Sequence, residues 1–183
     1  NLMLFNVERE LHQVYSGQVL DNYNRYVGVL SYDNTIYVAL LVETYNRNNP
    51  LAVPPSTGLK ITPFVINAGN DVIGNLSLYL SYSLDIYADG LADHGKYALA
   101  NQMLFAYGLS NELGDFYFGV NSSRSLAAFE VGNSSEMSSH VSNDNLAGTT
   151  SFDGTVGLGM KWDLEPLAAL EQTNVTISVG FAE

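Results

Sequence analysis

From position 76 to position 86 every second residue is large and apolar: Leu76, Leu78, Leu80, Tyr82, Leu84 and Ile86. Ser77, Tyr79, Ser81, Ser83 and Asp85 stand between them. A period of two sends alternate side chains to opposite faces of a strand, so the run predicts a long strand with one buried and one wetter face. The alternation returns near the C-terminus, where Val175, Ile177, Val179 and Phe181 interleave with Thr176, Ser178 and Gly180. Shorter runs predict strands over residues 26–30, 36–42, 59–66, 116–120, 126–131 and 155–162, the last alternating through Gly157 and Gly159. Residues 97–107 contain a helix-compatible stretch, but their Tyr and Phe content favours strand. Asn, Asp, Gly and Pro clusters, among them Asp33-Asn34, Asp89-Gly90 and Asp93-His94-Gly95, read as turns. Residues 132–151, dense in Ser, Asn, Gly and Thr, read as a long exposed loop, and 165–172 as a turn or a single helical turn.

About eight to ten strands separated by turn clusters predict an all-β fold, an antiparallel sandwich or a barrel, with the sandwich preferred. Residues 16–183 form the expected domain, and residues 1–15 an N-terminal arm with an extended strand. In that arm Leu2, Met3, Leu4, Phe5 and Val7 are apolar on both faces of a strand. Such a segment seeks burial on both sides. It is either the first strand of its own domain or a donor strand that completes the sheet of another copy.

Composition narrows the function classes. With 183 residues and 46% hydrophobic content, the chain can build one full core. Only 14% of residues are charged, against about a quarter in typical domains. Seven basic residues face nineteen acidic ones, for a formal charge of -12. The basic residues are scattered, so nucleic acid and anionic membrane surfaces are not expected partners. No cysteine is present, which removes disulfides, thiol chemistry and Cys-type zinc sites. No stretch reaches the ~18–20 apolar residues of a membrane-spanning helix.

Catalytic motifs are absent. His12, His94 and His140 lie in separate segments without metal-ligand spacing. Ser139 and His140 are adjacent, but no G-x-S-x-G elbow accompanies them. No carboxylate pair stands out for glycoside hydrolysis. The chain is therefore expected to be non-enzymatic and to need no cofactor. Asp85, Asp89 and Asp93 present carboxylates near one turn and are the candidates for a Ca²⁺ site, with turn formation the preferred role. Asn143-Asp144-Asn145 is read the same way. Sequons at Asn75, Asn121, Asn133 and Asn174 are candidate sites for N-linked glycans and point to an extracellular protein. Trp162 is the single tryptophan; it is either a sugar-stacking platform or, as is commoner, a core residue.

The closing stretch Trp162-Asp163-Leu164-Glu165-Pro166-Leu167, followed by residues 173–181, resembles the last strands of TasA-like biofilm-fibre proteins and archaeal bundling pilins. It is also similar to the amino-terminal sandwich of glucodextranase and glucoamylase-type enzymes, as is the strand at 75–86 with the acidic turn at 85–89. The glycine usual after the proline is replaced here by Ala168 or Ala169. The enzyme resemblance implies a sandwich without activity, because the catalytic acids of that family sit in a separate helical domain. The pilin resemblance implies a self-assembling, head-to-tail extracellular filament joined by donor strands. The sequence thus carries three expectations. The first is a filament subunit. The alternative is a non-catalytic carbohydrate-associated module. The third is a small outer-membrane barrel, permitted by the Tyr content and the Gly-alternating strands.

Overall fold

The computed structural model describes residues 12–20, 25–32, 35–46, 57–84, 92–100, 102–110 and 114–182. These form β1 (His12–Leu20), β2 (Arg25–Tyr32), β3 (Ile36–Asn46), β4 (Thr57–Asn67), β5 (Leu76–Ser83), β6 (Asp93–Ala98), β7 (Met103–Ser110), β8 (Gly114–Ser122), β9 (Ala128–Asn133), α1 (Ser134–Ser142), β10 (Ser151–Gly154), β11 (Val156–Leu164), β12 (Gln172–Asn174) and β13 (Ile177–Ala182). All pairings among them are antiparallel. The large sheet runs β1-β2-β3-β4-β13-β8-β7-β6-β10, with β12 also on β4; the small sheet runs β5-β11-β9. Neither sheet closes on itself among the described strands, so the architecture is a sandwich. Leu2, Met3, Leu4, Phe5 and Val7 lie outside the described residues, and β1 begins at His12.

The core lies between the sheets. β11 sends Val156, Leu158, Met160, Trp162 and Leu164 inward, all buried. β5 opposes them in register, with Leu80 beside Met160 and Leu78 beside Trp162. The large sheet answers with Val38, Val65, Leu104, Val120, Ile177 and Val179. Gly95 marks a close approach of the layers: a Cβ there would stand 2.5 Å from Val131 and 2.7 Å from Val156. Trp162 spans the gap, its Nε1 donating to Ser122 Oγ at 2.8 Å. It is fully buried, which removes it as a sugar platform.

Of the expected loop at 132–151, residues 143–150 are irregular and mostly exposed, whereas 132–133 end β9, 134–142 form helix α1 and 151 opens strand β10. Asn133 caps the helix by accepting from the Ser135 N–H at 3.0 Å. Glu136 follows three residues after the cap, an arrangement that favours a helix start. Met137 and Val141, one turn apart, bury against the outer face of the small sheet. Gly157 and Gly159 make room for them, since a Cβ on Gly159 would reach within 2.5 Å of Met137 Sδ. Asp93-His94-Gly95, expected to break the chain, begins strand β6.

Among the described residues Tyr82 is the exception to a well-satisfied interior. Its ring packs edge-on against Phe118, with centroids 5.2 Å apart, and its enclosed hydroxyl has no hydrogen-bond partner among the described residues. Burial pushes its phenol up to about 12. Tyr82→Phe removes an unpaid desolvation cost and keeps the packing. It is expected to raise unfolding free energy by about 0.5–1.5 kcal/mol, read as a higher urea midpoint at unchanged slope.

Candidate functional site

Where β9 meets the large sheet, several segments from distant parts of the chain converge. Tyr97 of β6 and Phe129 of β9 stack across the two sheets with centroids 3.8 Å apart and planes at 26°. A strap from the loop after α1 then crosses between them. Gly148 N donates to Phe129 O at 2.9 Å, Thr149 O accepts from Val131 N at 3.0 Å, and Thr150 O accepts from Tyr97 N at 2.9 Å. The strap therefore pairs first with the edge of β9 and next with β6, joining the sheets. Beside it opens a cleft of about 320 Å³ whose lining includes Tyr97, Gln102, Leu126, Phe129 and Leu146. Among the described residues no charged side chain lines it.

Glu130 holds this wall in place. It points to the outer face of β9, where it is 5% exposed. His140 Nδ1 lies 2.9 and 3.0 Å from its two carboxylate oxygens. Ala147 N donates to the same carboxylate at 3.0 Å. Helix, strand and strap are thus tied by one buried acid. This arrangement also decides the Ser139-His140 pair: the imidazole is engaged by Glu130, while Ser139 Oγ accepts from Asn143 Nδ2 at 3.2 Å. The helix turn places the two side chains apart, as expected for neighbours in sequence.

A second polar cluster sits on the outer face of the small sheet. Lys161 Nζ donates to both carboxylate oxygens of Asp144 at 2.9 and 3.0 Å, and lies 5.5 Å from the centre of the Tyr79 ring. The Lys161 bond, then that of Tyr79, holds the Asp144 carboxyl below its ordinary value. Asp144 in turn raises Lys161. Burial, then the hydrogen bond to Asp144, raises Tyr79. Because the Asp144 value is lowered on folding, its contribution is present at neutral pH and fades as pH falls through the lowered value. The Lys161 contribution is present below the ordinary ammonium range and fades as pH rises through its raised value. Asp144→Asn is expected to cost about 0.3–1 kcal/mol at pH 7, the range of part-exposed pairs. The gap between variant and wild type should close in strong acid, which urea titrations at pH 7 and pH 2 would measure.

On the outer face of the large sheet, His94 Nδ1 lies 2.7 Å from Asp153 Oδ1 and its ring stacks on Tyr107 at 5.1 Å. Lys96 Nζ lies 5.6 Å from the same Tyr107 ring. The neighbours are cross-strand partners, His94 opposite both Tyr107 and Asp153, so this row is a ladder of paired side chains along the sheet.

Asp93 opens β6 and is buried, 2% exposed; Asp85 and Asp89 lie outside the described residues. Among the described residues no group of three or more His, Asp or Glu is placed to hold a metal ion. His12 lies in β1. Asn75, Asn121 and Asn174 are exposed, Asn75 with a left-handed backbone at φ 54°. Asn133 spends its carbonyl on the helix cap and on Ser135 Oγ, at 2.9 Å. Among the described residues no helix is long and apolar enough to cross a membrane. The strap and the cleft escaped the sequence reading because their parts come from β6, the β6–β7 turn, the β9 approach and the loop after α1. The Asn133/Glu136 spacing was the signal that could have revealed the helix from which the strap departs.

No family model matches the chain, and no curated protein sequence matches it at a significant level. The fold does have a counterpart among solved structures. A bacterial glucoamylase, determined in complex with acarbose, superposes with a TM-score of 0.62 at 16% identity over 95% of this chain. The match spans 24% of the glucoamylase chain. At that identity the likeness is one of fold, and it agrees with the glucoamylase-type sandwich resemblance.

Proposed function

We propose that this chain is a non-catalytic, carbohydrate-associated β-sandwich module. The observation that carries the proposal is the extent of the superposition: 95% of this chain follows about a quarter, 24%, of a glucoamylase. A unit of that size beside a larger remainder is what an accessory domain of a carbohydrate-acting protein looks like. The polar clusters described above serve packing: Glu130 clips a helix to a strand, and Lys161 bridges Asp144 and Asp163. Affinity electrophoresis of the full chain through gels containing soluble starch, dextran or a β-glucan tests the reading. Retardation by at least one polysaccharide is expected. Unchanged mobility in all of them would remove it.

A second reading, a filament subunit joined by donor strands as in TasA-like fibres and bundling pilins, draws on one feature of the sandwich. Among the described residues β5 ends the small sheet, and Leu80 and Tyr82 along it and Leu84 just past it are only half-buried. Leu2, Met3, Leu4, Phe5 and Val7 of a second copy have the composition to add there by strand pairing. Burying four or five such side chains is worth about 6–15 kcal/mol before ordering and association costs. A head-to-tail contact of this kind does not close and yields an extracellular fibre, open to glycan attachment at the exposed sequons. Electron microscopy of the chain and of a variant lacking residues 1–7 tests it. Filaments that vanish on truncation support the reading, and filaments that persist contradict it.

A further inference from the structure

We propose that the cleft beside the strap is a binding site for a neutral saccharide, one or two sugar rings long, with Tyr97 and Phe129 as its aromatic wall and Gln102 at its rim. This inference rests on the carbohydrate-associated reading and assigns it a site. Four observations converge on it. The volume, about 320 Å³, falls at the small end of the ~300–1,000 Å³ range of small-molecule sites. Its lining joins apolar surface from Leu126, Phe129 and Leu146 to polar groups on Tyr97 and Gln102. A sugar presents the matching combination, an apolar C–H face and a hydroxyl rim. Among the described residues the lining is uncharged, in a protein whose net charge is -12, which disfavours an anionic ligand, and nothing in that lining would pair with a cationic one.

The fourth observation is Gln102 itself. Its backbone is left-handed, φ 49°, at the β6–β7 turn, where glycine is the unstrained choice. Gln has neither the short side chain of Asn nor the freedom of Gly to ease that conformation. Backbone strain of this kind gathers at ligand sites. Here it sets a carboxamide, able to donate and to accept, on the lip of the cleft. The opposite wall is held rather than loose. Glu130 fixes Ala147, and the strap is bonded to both sheets. A preformed wall spares a ligand the ordering cost of a flexible one.

The test uses the full chain and maltotriose, with cellotriose in parallel, followed by ligand-observed NMR and calorimetric titration. Gln102→Ala and Tyr97→Phe each remove one hydrogen-bonding group and are expected to weaken binding at least fivefold. Ala127→Trp fills the cleft from an exposed lining position and is expected to abolish binding. Thermal unfolding within a few degrees of wild type shows that each variant is folded. Binding that survives Ala127→Trp unchanged overturns the site and leaves the carbohydrate-associated reading standing. Absence of binding to both trisaccharides, with polysaccharide retardation retained, also overturns this site alone. Loss of both responses removes the site together with the reading.

Discussion

Trp162→Ala is expected to lower the unfolding free energy by about 3–5 kcal/mol, the range for emptying a large buried aromatic site. That is a large part of the ~5–15 kcal/mol that holds a typical domain folded. The residue is 0% exposed, opposes Leu78 across the small sheet, and sends its indole N–H to Ser122 Oγ on the large sheet. Removing it opens a cavity at the junction of the two layers. Trp162→Phe keeps most of the volume and loses the cross-layer hydrogen bond, and about 1–2 kcal/mol is expected for it. Because Trp162 is the only tryptophan, circular dichroism rather than fluorescence should follow the urea transitions. Saccharide binding by the folded Trp162→Phe protein is expected to match wild type. A loss of binding at unchanged stability would return Trp162 to the role of platform.

Asn67→Ala is expected to cost about 3–5 kcal/mol, an unusual amount for a polar residue at the end of a strand. Asn67 is fully buried. Its Nδ2 donates to Asp71 O at 2.8 Å and to Leu167 O and Ala168 O at 3.0 Å each, while its Oδ1 accepts from Gly69 N at 2.9 Å. Its own backbone exchanges hydrogen bonds with Glu171 O and Leu170 N. One side chain therefore fastens the turn after β4 to the segment before β12, next to the bridge between Ile73 and Leu167. Alanine takes away the side-chain donor of Asp71 O and the acceptor of Gly69 N, and it leaves Leu167 O and Ala168 O with only the backbone donors Ile73 N and Glu171 N. Leaving enclosed polar groups unpaired costs more than the bonds are worth when made. Asn67→Asp is expected to be at least as damaging at neutral pH, since an ionised carboxylate offers no donor to these carbonyls, and to recover partly in acid, where its protonated form does. Hydrogen exchange at Leu170 N and Ile73 N should accelerate in both variants if the side chain fastens this region. Exchange at wild-type rates would show the neighbouring backbone bonds to be sufficient.

Local pattern carried far in this chain where one face of a strand meets a core. The alternation through Leu76, Leu78 and Leu80 and through Ile177 and Val179 determined β5 and β13 and the faces they bury. It also determined the all-β class, because a period of two written several times over has no other compact solution. The Gly157/Gly159 alternation placed β11 correctly, yet its cause lay elsewhere: helix α1 packs onto those positions. That helix was read as a loop because only Met137 and Val141 of it are buried, and the sheet beneath supplies what its own polar composition lacks. Asp93-His94-Gly95 was read as a turn for a related reason. Its glycine answers the approach of Val131 and Val156 from the opposite layer, a demand that no local window contains. Trp162 presented the same ambiguity, and the second sheet decided it in favour of the core. The cleft was the least legible feature. Tyr97, Gln102, Phe129 and Leu146 become neighbours only when the strap crosses from β9 to β6. Periodicity along the chain reports which face a residue takes, whereas the pairing of distant segments settles what that face will touch.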